Sequence, residues 1–155
     1  MGIEIERKFL VTSEGWRTSN PMLFSQGYLS RDRSRTVRVR VAGEAGFLTI
    51  KGPTTGTARA EFEYSIPLDD AIEMMTLCDG PIVTKYRHKV IHHGMVWEVD
   101  EFLGENEGLI VAEIELSSED ETFERPDWLG VEVSNDPRYF NSKLAINPYR
   151  SWPVQ

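Results

Sequence analysis

Apolar and polar residues alternate along most of the chain with a period of two, the spacing of half-buried strands, whose successive side chains point to opposite faces. The alternation starts at once: from Ile3 to Leu10 (IEIERKFL), Ile3, Ile5 and Phe9 take one parity and Glu4, Glu6 and Lys8 the other. It is strictest from Thr36 to Val41 (TVRVRV), where Val37, Val39 and Val41 share a face and Thr36, Arg38 and Arg40 share its opposite. β-branched residues suit a pleated surface, so this is the clearest strand of the chain. Further strands are predicted from Phe24 to Ser30, interrupted by Gly27, and along FLTIKG, where Thr49 and Lys51 share a face. In ARAEFEYSI, Arg59, Glu61 and Glu63 alternate with Ala60, Phe62 and Tyr64. Three more follow: Ile82 to Ile91 with Lys85 and Arg87 on one side, Met95 to Phe102 with Glu98 and Asp100, and Leu109 to Leu116 with Glu113 and Glu115.

Helical signals are fewer. Asp69 or Asp70 is the expected N-cap of a helix running to about Leu77, with Ile72 and Met75 toward the core and Asp79-Gly80-Pro81 as its stop. Ser118 with Glu121 reads as a capping box that opens a short helix ended by Pro126. Asp136-Pro137 starts another, RYFNSKLAI, which Asn147-Pro148 closes, and Arg150 to Gln155 reads as a tail. Ser13 to Pro21 reads as a loop.

At 155 residues, 40% hydrophobic and 27% charged, the sequence predicts one soluble domain spanning 1–155. No apolar run is long enough to span a membrane, and the opening MGIEIERK lacks the apolar core of a signal peptide, so the expected location is the cytoplasm. The single cysteine, Cys78, cannot form an internal disulfide. A net charge of −8, from 25 acids against 17 Lys and Arg, argues against general affinity for nucleic acid.

The charges are sorted, however. Acids recur two apart at Glu4/Glu6, Glu61/Glu63, Glu98/Asp100 and Glu113/Glu115, and bases at Arg38/Arg40 and Lys85/Arg87. Cross-strand ion pairs on a solvated sheet are worth only about 0.2–1 kcal/mol each and do not account for like charges paired along one strand. Clustered carboxylates require a cation, and clustered bases an anion. Both needs are met if about eight strands close into a barrel with the charged face inward. Carboxylates then offer oxygen ligands to a hard divalent ion beside Lys and Arg for a phosphate chain, and Mg²⁺ characteristically shares itself between carboxylates and substrate phosphates. The apolar faces would point outward, covered by helices or by a second subunit, which leaves room for a homodimer.

The residues resemble the CYTH superfamily, the triphosphate tunnel metalloenzymes. The resemblance rests on Glu4-Ile5-Glu6-Arg7-Lys8, then Arg38-x-Arg40, Lys51, Arg59-x-Glu61-x-Glu63, Lys85-x-Arg87, Glu98-x-Asp100 and Glu113-x-Glu115, in that order along nearly the whole chain. Arg138 to Ser142, with Leu144, looks like the family's closing helix. The resemblance implies an α+β fold: an eight-stranded antiparallel β-barrel, a triphosphate tunnel with a charged interior, flanked by a few helices. Lys8, Arg38, Arg40, Lys51, Arg59, Lys85 and Arg87 would hold the phosphates. Glu4, Glu6, Glu61, Glu63, Asp100, Glu113 and Glu115 would form the metal face, for Mg²⁺ or Mn²⁺ and two ions during catalysis. Lys8, Lys85, Arg87, Glu61, Glu63 and Glu115 would carry the reaction. The implied activity is Mg-dependent hydrolysis of inorganic tripolyphosphate to pyrophosphate and phosphate, a phosphoanhydride hydrolase. Nucleoside or thiamine triphosphatase, a class IV-like adenylate cyclase, and a non-catalytic polyphosphate-binding module are the alternatives.

Overall fold

A computed structural model describes residues 2–153. Nine strands form one antiparallel sheet: β1 (Gly2–Val11), β2 (Met22–Ser30), β3 (Thr36–Ala42), β4 (Ala45–Lys51), β5 (Ala58–Ile66), β6 (Val83–His92), β7 (Met95–Phe102), β8 (Ile110–Glu115) and β9 (Leu129–Glu132). The order β5-β4-β3-β2-β6-β7-β8-β1-β9, with a further β5–β1 pairing, closes the first eight strands into a barrel. Closure is made by β1 alone. Its first half pairs with β5, in the register Gly2↔Glu61 and Glu4↔Arg59, and its second half pairs with β8, Glu6↔Glu115 and Lys8↔Glu113. The alternating charges of the opening segment therefore lie along the seam.

Parity decides which face is enclosed. Glu4, Lys8, Arg38, Lys85 and Glu113 are buried, whereas Ile3 (68% exposed) and Tyr64 (56%) on the opposite parity of their strands are not. Charged interior and apolar exterior invert the usual barrel, so outer faces need cover. Over β1, β7 and β8 it comes from loops: Trp16 and Trp128 join Phe9, Trp97, Ala112 and Ile114 in one core, with edge-to-face pairs Phe9–Trp97 at 5.8 Å and Trp97–Trp128 at 5.7 Å. Over β4, helix α1 (Leu68–Met75) sets Ala71 so close that a Cβ on Gly46 would lie 2.8 Å from the Ala71 Cβ.

A second apolar core lies within the barrel at one end. Tyr28, Val83, Phe102 and Val111 share the inward parity of the charged residues, and Tyr139, Leu144 and Ala145 of the C-terminal segment pack onto them. The barrel is thus charged at its middle and plugged at this end.

Several local expectations are corrected. The β2 strand runs unbroken through Gly27, which pairs with Val39; a Cβ there would lie 2.6 Å from the Cys78 sulfur, so the glycine answers a close approach rather than a break. Helix α1 has Pro67 at its N-cap with no side-chain cap, and Ile72 is 53% exposed while Ala71 is buried. Residues 118–126 form no helix; Glu121 instead accepts from the Ser117 amide and hydroxyl at 2.6 and 2.7 Å. The C-terminal helix is split: a 3-10 turn Pro137–Tyr139 is followed by extended Phe140 (φ −69°, ψ 134°) and by α2 (Asn141–Leu144). The expected tail is anchored, with Trp152 edge-on to Tyr139 and Tyr149; Val154 and Gln155 lie outside the described residues. Strand β9 was not anticipated; its Leu129 faces the outer core.

Candidate functional site

The enclosed face lines a cavity of about 390 Å³. Each strand of the closed barrel contributes a side chain through its inward parity, β7 through Glu98 rather than Asp100. Glu4, Glu6 and Lys8 come from β1, Arg38 and Arg40 from β3, Lys51 from β4, and Arg59, Glu61 and Glu63 from β5. Lys85 and Arg87 come from β6, and Glu113 and Glu115 from β8. Thirteen of the fourteen residues predicted from sequence are therefore brought together, since Asp100 alone among them does not line the cavity.

Inside the cavity opposite charges pair across the seam and between strands. The Lys8 ammonium donates to Glu113 at 3.0 Å and lies 3.4 Å from Glu6. Burial alone would lower the Lys8 pKa, but Glu113 and Glu6 outweigh it and hold the group above its ordinary range. Burial likewise opposes ionisation of Glu6, and Lys8 overcomes it, so that carboxyl sits below its usual value. Lys51 spans both oxygens of Glu4 at 2.9 and 3.0 Å and stands 3.6 Å from Glu61. Glu63 faces Arg40 at 3.6 Å and Arg38 at 3.9 Å. Arg59 donates to the Gly52 carbonyl and to the Thr36 hydroxyl, at 3.2 and 3.3 Å.

Asp100 sits behind this lining, fully buried. Both its oxygens are taken: Arg87 donates to them at 2.8 and 2.9 Å, and Lys85 approaches one at 2.7 Å. Burial would raise the Asp100 pKa, but Arg87 and Lys85 together hold it below the usual carboxylate range. Lys85 fares differently. Burial and the neighbouring Arg87 push its pKa down to about 8 against the pull of Asp100, because one carboxylate is shared between two cations. Fully buried and outside the cavity lining, Asp100 faces Arg87 and Lys85 and orients the two bases.

Two features mark the cavity as fit for an anion beside a cation. The Nε atoms of Arg38 and Arg40 are buried without a hydrogen-bond partner among the described residues, and burial, with the charges of Arg38 and Arg87, pushes Arg40 down to about 10. Arg40 remains charged at neutral pH, so its shift records positive potential that an anion would relieve. On the opposite wall, burial and then the charges of Glu4, Glu6 and Glu98 raise the Glu115 pKa, which records the need for a cation. Among the described residues no three acid, His or Cys side chains stand together as a ready metal cage. The donor set is one of hard carboxylate oxygens suited to Mg²⁺, which is commonly held by one or two carboxylates together with substrate phosphates and water.

The sequence reading passed over several lining residues. Glu98 shares its parity with Asp100 and was legible as an inward acid, but was given no role. Tyr28 belongs to both the plug and the lining. Phe140, Asn141 and Ser142 reach the cavity from the C-terminal segment, and Asn141 accepts a hydrogen bond from Lys85 at 3.0 Å. No strand alternation leads to them; only the break at Phe140 does.

The model of the CYTH domain family matches residues 2–143. A protein of Acetivibrio thermocellus named inorganic triphosphatase is 49% identical over 154 residues, covering 98% of this chain and 99% of its own. One of Nitrosomonas europaea with the same name is 34% identical, covering 93% and 97%. Among solved structures, the crystal structure of an inorganic triphosphatase superposes with a TM-score of 0.66 at 33% identity, over 92% of this chain and 97% of that one. A Pyrococcus horikoshii protein, at 19% identity and a TM-score of 0.58 over 76% and 81%, shares the fold.

Proposed function

The chain belongs to the CYTH domain family, and from that premise we propose that its cavity binds inorganic tripolyphosphate and hydrolyses it, with a divalent metal ion, to pyrophosphate and phosphate. The observation that carries the reading is the sorting of charge within one enclosed space: a basic wall with unpartnered guanidinium nitrogens opposite a wall of crowded carboxylates. A phosphate chain with its counter-cation is complementary to both.

Binding proceeds by exchange of partners. Arg38, Arg40, Lys51, Arg59, Lys85 and Arg87, with Lys8, take the phosphate oxygens, and the lining carboxylates that had neutralised Lys8, Lys51, Arg38 and Arg40 are released while Asp100 stays on Lys85 and Arg87. Glu4, Glu6, Glu61, Glu63, Glu113 and Glu115 would hold Mg²⁺ or Mn²⁺, which supplies Lewis acidity toward the phosphate oxygens and the attacking water. Phosphoryl transfer asks little covalent chemistry of the protein, so the bases act by fixing the chain in line and stabilising charge as the bond breaks. Lys8, fully charged between Glu6 and Glu113, draws negative charge toward the seam. Lys85 and Arg87, held by Asp100, stabilise the leaving phosphate. Glu61, Glu63 and Glu115 orient water on the acidic side. Asp100, which the resemblance places on the metal face, acts instead as a positioning residue for Lys85 and Arg87.

The names of the relatives favour tripolyphosphate over a nucleotide. The test is phosphate release from tripolyphosphate, ATP, thiamine triphosphate and pyrophosphate in parallel. Fastest release from tripolyphosphate supports the proposal; exclusive release from ATP or thiamine triphosphate moves the activity elsewhere; none from any overturns it.

A further inference from the structure

Asn141 is the first residue of α2 and reaches the cavity because the chain is extended at Phe140 between two short helical turns. Its place is fixed from both sides: Tyr139, two residues before it, and Leu144, three after, are buried in the apolar plug. Its side-chain oxygen lies 3.0 Å from the Lys85 ammonium. A lysine ammonium has three donors and no acceptor, so the atom of the carboxamide that faces it must be the oxygen. The orientation of the amide is therefore fixed by chemistry: Nδ2, with two N–H donors, points away from Lys85. The side chain makes no other hydrogen bond among the described residues, and the residue lines the cavity.

We propose that Asn141 contacts the substrate directly: its carboxamide oxygen holds Lys85 in place while its Nδ2 donates a hydrogen bond to an oxygen of the phosphate chain. The inference rests on reading the cavity as the triphosphate site. Lys85 is ion-paired with Asp100 at 2.7 Å and donates a hydrogen bond to Asn141, and of its three N–H donors one is left for the same phosphate chain. An amide suits this position better than a charged group. A carboxylate would satisfy Lys85 but cancel its charge and turn an acceptor toward the phosphates, and a cation would repel Lys85, which burial and Arg87 already push down to about 8. Asn141 thus ties the C-terminal plug to the phosphate-binding wall through a residue with no charge of its own.

The experiment compares tripolyphosphate binding by wild type, Asn141→Ala and Asn141→Asp, by titration calorimetry with Mg²⁺ present at low temperature, with phosphate release and thermal unfolding followed on the same proteins. Asn141→Ala loses both hydrogen bonds and is expected to bind about 10-fold more weakly or worse, the usual effect of losing a hydrogen bond to a charged group. Asn141→Asp keeps the acceptor for Lys85 but replaces the donor with a second oxygen, so it is expected to bind more weakly still while folding normally. Wild-type affinity in Asn141→Asp overturns the donor role, and wild-type affinity in Asn141→Ala overturns the inference outright. Should Asn141→Asp not fold, the Asn141→Ala comparison decides alone. Wild type that binds tripolyphosphate without hydrolysing it contradicts the proposed activity but leaves this comparison intact; wild type that does not bind it overturns both.

Discussion

Arg87 grips Asp100 through two parallel hydrogen bonds, Nε to Oδ1 at 2.8 Å and Nη2 to Oδ2 at 2.9 Å, while Lys85 reaches the same Oδ2 at 2.7 Å. One buried carboxylate thus serves two cations, and the surplus positive charge remains available to the cavity. Removing the carboxylate strands both bases. Asp100→Asn is expected to cost roughly 3–5 kcal/mol, the usual effect of breaking a buried pair from one side. At about 2–4 °C per kcal/mol for a chain of this size, Tm should fall by more than about 6 °C. Because the Asp100 pKa is lowered on folding, its contribution is present above the ordinary carboxylate range and is lost as pH falls through the lowered value. Acid unfolding should therefore be shallower in Asp100→Asn than in wild type; identical acid limbs would contradict this role.

Lys85 gives the cavity a pH dependence on the alkaline side. With its pKa lowered to about 8, the free protein loses this charge as pH rises past 8, and KM for tripolyphosphate should rise there. Unfolding does not explain such a loss. Between pH 8 and the ordinary lysine value near 10.4, the unfolded chain holds a proton that the folded chain has released, so stability from this group increases with pH. Asn141 and Asp100 would still contact an arginine at this position, and Lys85→Arg, which stays charged, should flatten the KM profile between pH 7.5 and about 9.5. A profile unchanged by the substitution would remove Lys85 as its source.

Glu115 predicts opposite effects on stability and activity. Its carboxyl is raised by burial and by the like charges of Glu4, Glu6 and Glu98, and it has no ion-pair partner among the described residues. A raised carboxyl destabilises the fold once ionised, above its ordinary range, so Glu115→Gln should unfold at or above the wild-type temperature in EDTA. The same variant should need more Mg²⁺ for half-maximal phosphate release. Equal Mg²⁺ requirements in variant and wild type would take Glu115 out of the cation-binding wall.

Lys8 is held between Glu6 and Glu113 at 3.4 and 3.0 Å, and it faces the cavity. Lys8→Met keeps most of its volume and removes its charge, so phosphate release should fall on the order of 10²-fold or more, the range for losing one positioned donor to a developing charge. Near-wild-type turnover in a folded variant would exclude it from the reaction.

Much of the site was legible because strand parity is a rigid rule. Once Val37, Val39 and Val41 face outward, Arg38 and Arg40 must face inward, and the same holds for Glu61 and Glu63 opposite Phe62. The eight barrel strands follow from that period. Depth is what parity cannot give: Glu98 and Asp100 share a face, yet one lines the cavity and the other lies behind Arg87 and Lys85. Strand β9 has only four residues, too few for its alternation to stand out, and pairs with β1 at Phe9 and Val11. The C-terminal reading failed where helical signals at Asp136-Pro137 and Asn147-Pro148 hid the extended Phe140, because the demand of the plug on Tyr139 and Leu144 overrides local propensity. That break is also what turns Asn141 toward the cavity.

The most direct test of the central claim follows tripolyphosphate by phosphorus NMR in the presence of the protein, with Mg²⁺ and then with EDTA. One phosphate and one pyrophosphate should appear for each triphosphate consumed with Mg²⁺, and the triphosphate should persist in EDTA. Tripolyphosphate that remains intact with Mg²⁺, or that is cleaved equally well in EDTA, would contradict metal-dependent hydrolysis in this cavity.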